Sequence, residues 1–123
     1  MEWTTEVGCA YTATFSIGAI GGSMTCTIQL KDFAGNNLAV KNAITIYFST
    51  DADGLGTATV TSCVLATHGI IYTIETLKAY QLITEANGVA ALTIDNSSAA
   101  NLYVNVVLPN GKIVTSSVMA FNA

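Results

Sequence analysis

The chain has 123 residues, of which 51% are hydrophobic and only 10% charged, with a net charge of -4 and a mean hydropathy of +0.52. That balance is the reverse of the disordered signature, and the length suits one domain with a buried core. Its cations are all lysines (Lys31, Lys41, Lys78 and Lys112), half as many as its carboxylates, so phosphate contacts would be few and nucleic-acid binding through a basic face has little support.

The hydrophobicity does not build a membrane helix. Purely apolar runs such as Val106-Val107-Leu108 fall far short of the ~20 residues that a span requires. Met1-Glu2-Trp3-Thr4-Thr5-Glu6 carries acids and no base, unlike a secretory signal, so the expectation is a chain made and kept in a cytosol. Cys9, Cys26 and Cys63 have no Cys-x-x-Cys spacing. They predict neither a disulfide framework nor a zinc site, only free thiols packed as small apolar residues.

Taken in order, Tyr11, Ala13, Phe15 and Ile17 alternate with Thr and Ser and predict a first strand. Gly18 to Gly22 is a connector. Met24, Cys26, Ile28 and Leu30 alternate with Thr25, Thr27 and Gln29 in a second, very regular strand. Asp32 to Asn37 is a turn by composition. Residues 43–50 predict a third strand, ending in the acidic loop Asp51 to Gly56. A weaker strand is expected over Thr57 to Leu65, then a turn at Thr67-His68-Gly69.

Further strands are expected over Ile70 to Glu75, Ala79 to Glu85 and Val89 to Ile94, with Ala86-Asn87-Gly88 as a turn. Asp95 to Ala100 is a polar loop. Leu102 to Leu108 pairs with Lys112 to Phe121 across Pro109-Asn110-Gly111, where Pro presets the first corner and Gly the left-handed position. The pattern predicts an all-β fold, a single Ig-like β-sandwich of about seven to nine antiparallel strands over residues 11–123. An OB-type barrel is the alternative. Trp3, the one tryptophan, precedes the first strand, so an antibody-type Cys…Trp…Cys core is excluded. Residues 1–10 read as an N-terminal arm, or as an edge strand lent to a neighbouring subunit.

Chemistry-bearing patterns are sparse. His68 stands alone in a turn, and a lone His is far more often a turn residue than a catalytic base or ligand. No Gly-x-Ser-x-Gly elbow exists. Glu75 and Glu85 face each other only across an expected hairpin and read as rim residues. The Gly-rich stretch from Gly18 lacks the Lys-Ser/Thr ending of a phosphate loop. The reading is therefore a non-enzyme with no catalytic residues and no cofactor. Asp51-Ala52-Asp53-Gly54 opens like an EF-hand loop, which makes Asp51 and Asp53 a weak calcium candidate. The rest fails, with Leu55 at the fifth position and Ser62 at the twelfth. The outer strand positions, Thr, Ser, Asn, Gln and Tyr with almost no charge, are cheap to desolvate and favour large protein contacts.

The stretch Ile28-Gln29-Leu30-Lys31-Asp32-Phe33-Ala34-Gly35-Asn36-Asn37-Leu38-Ala39-Val40 is similar to a Gln-Leu-Lys-Asp-Ala-Ala-Gly-Asn-x-Leu-Ala stretch of short Ig-like proteins encoded by tailed bacteriophages. Tyr47 to Gly54, Thr84 to Gly88 and Tyr103 to Lys112 resemble further blocks of that group, in its order, over residues 12–122. Where family members carry Asp or Asn before the Gly of the middle turn, this chain has His68. The resemblance implies a virion structural protein with no catalytic residues. It points to a capsid decoration or cement protein that binds the major capsid protein on the capsid exterior and forms a homo-oligomer, such as a trimer on local threefold positions. It implies no nucleic-acid or membrane partner. A virion-displayed adhesion module binding host-surface glycans through Trp3, Tyr72 and Tyr80, or a tail-associated Ig module, is the alternative.

Overall fold

The computed structural model describes residues 10–18, 23–66, 69–97, 100–109 and 111–121. Its ten strands are β1 (Thr12–Ile17), β2 (Ser23–Lys31), β3 (Ala43–Ser49), β4 (Ser62–Leu65), β5 (Ile70–Glu75), β6 (Ala79–Ile83), β7 (Val89–Asp95), β8 (Ala100–Val107), β9 (Ile113–Thr115) and β10 (Met119–Phe121). They form two antiparallel sheets, one ordered β1-β2-β7-β4 and the other β10-β8-β3-β6-β5 with β9 also on β8. Trp3, Cys9 and most of the expected arm, with the turn residue His68, lie outside the described residues. Ala10 is already buried, and the Tyr11 N–H donates to the Lys31 carbonyl at 2.8 Å.

The sheets form because their inward positions are apolar at every second residue. Met24, Cys26, Ile28 and Leu30 of β2 meet Ile44, Ile46 and Phe48 of β3, Leu92 and Ile94 of β7, and Val104 and Val106 of β8. Each large side chain buried there contributes about 1.5–3 kcal/mol of transfer free energy. The four-stranded sheet has the A-B-E-D order of an immunoglobulin domain, and the fold is an Ig-like β-sandwich. The chain path differs in one respect. It lays β4 on the first sheet before β5 and β6 are added outward from β3, which leaves β5 on an open edge.

One expected strand is shortened and another is divided. Only Ser62–Leu65 of the stretch from Thr57 is a strand, because that stretch passes between the sheets. Ala58 N–H still donates to Phe48 O and Val60 N–H to Leu77 O, whereas Thr61 N–H donates to Asp95 O on the other sheet. The stretch from Lys112 to Phe121 is likewise two strands on the same edge of β8. Thr115 pairs with Asn105 and Met119 with Leu102, so the register shifts by one residue between them. Ser116 holds the irregularity: its Oγ accepts the Val104 N–H at 3.0 Å and donates to Ser117 O at 2.8 Å.

Cys26 and Cys63 are free and buried on the inner side of the first sheet. Burial pushes both thiols up to about 12. With Cys9→Ser as background, neither thiol should react with an aromatic disulfide reagent at pH 8 until denaturant is added, when both should. The unfolded thiols ionise near their ordinary value of 9.0 while the folded ones stay protonated, so the native state binds more protons above that pH. Stability therefore falls as pH rises from 9 toward 12, measurable by urea unfolding at each pH.

Candidate functional site

Alternation sends Tyr80 and Leu82 of β6 into the core, so Ala79, Gln81 and Ile83 face outward. The registers then align Ile70 with Ile83 and Ala43, and Tyr72 with Gln81, Thr45, Val107 and Ile113 across the sheet. The result is an outer face with no charged side chain in either row. Ile70, Tyr72 and Ile113 are each about half exposed, and Ile74 stands out at 59% where β5 bulges. Charges occur at its margins. Lys78 Nζ lies 3.5 Å from Glu75 at one end of the β5–β6 hairpin. At the other end, Lys41 and Glu85 help line a cleft of about 160 Å³ floored by Ile70 and Ile83.

A buried polar network lies beside this face. Asn105 points outward from β8 yet is fully buried, because the loop after β3 folds across it. Its Nδ2 donates to Ser49 Oγ (2.9 Å) and Tyr47 O (3.3 Å), and its Oδ1 accepts from Thr115 Oγ1 (2.7 Å). Tyr47 Oη donates to Gly54 O at 2.7 Å, and Ser49 Oγ donates to Asp51 O at 2.7 Å. Gly54 sits against the amide with φ of 74°. A Cβ there would stand 2.7 Å from both Asn105 Oδ1 and Tyr47 Oη.

The Asp51 carboxylate accepts the Leu55 N–H at 2.9 Å through one oxygen and the Gly56 N–H at 3.0 Å through the other. The Leu55 bond is the chief reason its carboxyl titrates below the ordinary 3.8. Asp51 thus closes its own loop, and Asp53 is exposed beside it. No group of three or more metal-ligating side chains is gathered among the described residues. Because the folded pKa is depressed, the loop's stabilisation is present above the ordinary carboxylate range and lost as pH falls through the folded value. Asp51→Asn should speed amide exchange at Leu55 and Gly56 by about tenfold, since a charged acceptor makes the stronger bonds.

Other expected residues fall apart. Glu75 and Glu85 stand at opposite ends of β6, ~20 Å apart by strand length, so the hairpin does not pair them. Tyr72 is exposed, but Tyr80 is buried against Phe48 and its Oη accepts the Leu77 N–H at 2.7 Å. That bond braces a turn in which Leu77 takes φ of 66°. Tyr80 is therefore withdrawn from any glycan-stacking role. Sequence reasoning passed over Asn105, although an amide among Val104, Val106 and Val107 is a signal, because Asn is poorly suited to strands.

No family model and no curated protein matches the chain. Among solved structures it is similar to a cohesin module from a Clostridium perfringens family 33 glycoside hydrolase, at 8% identity, 93% of this chain and 98% of that chain, with a TM-score of 0.45.

Proposed function

We propose that this chain is a structural subunit of a tailed-bacteriophage virion, a decoration protein that docks on the outside of the major capsid shell as a homo-oligomer, such as a trimer. The observation that supports it is the uncharged outer face of the six-stranded sheet, where Ile70, Tyr72 and Ile113 are exposed in register with Thr45 and Gln81. Desolvating such a face removes apolar area without stripping ions of water, which suits a permanent subunit contact. The cleft between Lys41 and Glu85 gives one corner of the face a socket for a partner's apolar side chain.

Mass spectrometry of purified virions of the encoding phage tests the reading. Copies in proportion to the capsid subunit are expected. None, or a few per particle, would overturn it, and a location on the tail would favour the tail-associated reading. Shells stripped of this protein give a second test. The wild-type chain should rebind them, and Tyr72→Lys should not, while its melting temperature stays unchanged because Tyr72 is exposed.

A further inference from the structure

Leu55 is 80% exposed, more than any other large hydrophobic side chain among the described residues. Its loop nevertheless holds it in place. The Leu55 N–H donates to Asp51 Oδ1 at 2.9 Å, Gly56 O accepts the Thr50 N–H at 2.8 Å, and Gly54 O accepts the Tyr47 hydroxyl at 2.7 Å. These bonds use only the backbone of the loop tip, so a polar side chain at position 55 would serve the turn as well. A mobile loop loses freedom when it docks, whereas one already fixed loses little. Asp53, beside Leu55, is exposed, and among the described residues its carboxylate has no partner.

The cleft floored by Ile70 and Ile83 lies toward the other end of the same sheet. The loop is tied to Tyr47 and Ser49, and roughly 15 Å of β3 separates it from the row of Ala43, Ile83 and Ile70. Leu55 does not line the cleft of its own chain. The size fits: the cleft holds about 160 Å³, and removing a leucine side chain from a packed core leaves ~150 Å³. The charges also fit. Glu85 on the rim already has a partner, whereas Lys41 is exposed and among the described residues has none. The loop from Asp51 to Gly56 carries two acids and no cation.

We infer that Leu55 of one copy seats in the Ile70–Ile83 cleft of a second copy, with Asp53 of the first against Lys41 of the second. The contact rests on the homo-oligomer proposed above and names its joint. Knob and cleft match in size and in free charge, and they stand too far apart to meet within one molecule. Two different surfaces join, so the contact runs head to tail. Repeated, it closes into a ring where the rotation allows, as three copies about a threefold axis would. One leucine and one rim ion pair hold free copies together weakly. On a shell that sets neighbours side by side, the same contact acts at high effective concentration.

A concentration series of the isotope-labelled chain tests this by amide shifts, with sedimentation equilibrium giving the affinity. Amides at 53–56 and at 41, 69–70 and 83–85 should move together as concentration rises. Leu55→Ser should weaken association by about thirtyfold, the loss of one buried leucine side chain. Lys41→Glu and Asp53→Lys should each weaken it by about fivefold, and the chain carrying both should regain the wild-type affinity. Mixtures give the direction. Labelled Leu55→Ser keeps its cleft and unlabelled Ile70→Glu keeps its knob, so mixing them should move the labelled amides at the cleft and leave those of the loop. All four positions are exposed, and dispersed amide spectra show that each variant is folded. The inference is overturned by a wild-type chain with no concentration-dependent shifts up to its solubility limit, by a double swap no better than the single ones, or by shifts confined to other surfaces. Virion composition decides the decoration reading separately, so either can fail without the other.

Discussion

Asn105→Ala should lower stability by about 3 kcal/mol and loosen the loop from Asp51 to Gly56. The amide makes hydrogen bonds to Tyr47 O, Ser49 Oγ and Thr115 Oγ1 in a place with no water access. Truncation removes those bonds and also strands their partners, and a stranded buried polar group costs ~1–3 kcal/mol. At this chain length the melting temperature should fall by about 10 °C, and protease should cut the loop first. A loss below about 1 kcal/mol would mean that water replaces the amide and that the loop is held by other contacts. Gly54→Ala attacks the same network from the loop side. The added Cβ meets Asn105 Oδ1 and Tyr47 Oη, both at 2.7 Å, and the positive φ disfavours any side chain. The two substitutions touch one network, so their combined effect should be less than the sum.

Phe48→Ala should cost about 4 kcal/mol, the largest effect of any single truncation in the core. Phe48 is the largest side chain among those with no exposure, and its ring packs edge-on to Tyr80 with centroids 6.5 Å apart. Its backbone also ties neighbouring segments together, since Phe48 O accepts the Ala58 N–H at 2.9 Å. That bond survives truncation, so the loss reports the ring alone. Urea unfolding should show a lower midpoint with an unchanged slope. A changed slope would indicate that the native state itself has loosened. Phe48→Leu should recover more than half of the loss, because it refills most of the cavity.

The strands were legible where one face is buried and the other wet. Alternation in Met24, Cys26, Ile28 and Leu30 specifies both the strand and its inner face, and all four side chains are at most 2% exposed. Alternation does not say what covers the other face. Tyr72 and Tyr80 look alike in sequence, yet one is exposed on β5 and the other is buried under β6. Asn105 has the pattern of an outward residue, and only the fold of a loop fifty positions earlier in the chain buries it. Asp51 shows the same limit from the other side. Its spacing with Asp53 resembles a calcium loop, but its two oxygens are consumed by Leu55 and Gly56 of its own turn. Strand order was illegible for a related reason, since β4 reaches the first sheet ahead of β5 and β6 and no local signal marks that crossing.

The sheet order also governs how the chain must emerge from a ribosome. β2 is completed against β7, and β3 against β8. The contacts that join them span long distances: Gln29 reaches Asn87 and Asn105 reaches Tyr47, each across 58 positions. Neither sheet can close until most of the chain has been synthesised. In the interval β2 has only β1 beside it and β3 only β6, so each keeps one strand edge open. Such a topology folds slowly, on the order of milliseconds to seconds, and a cell making it in quantity should need a chaperone to shield those two segments.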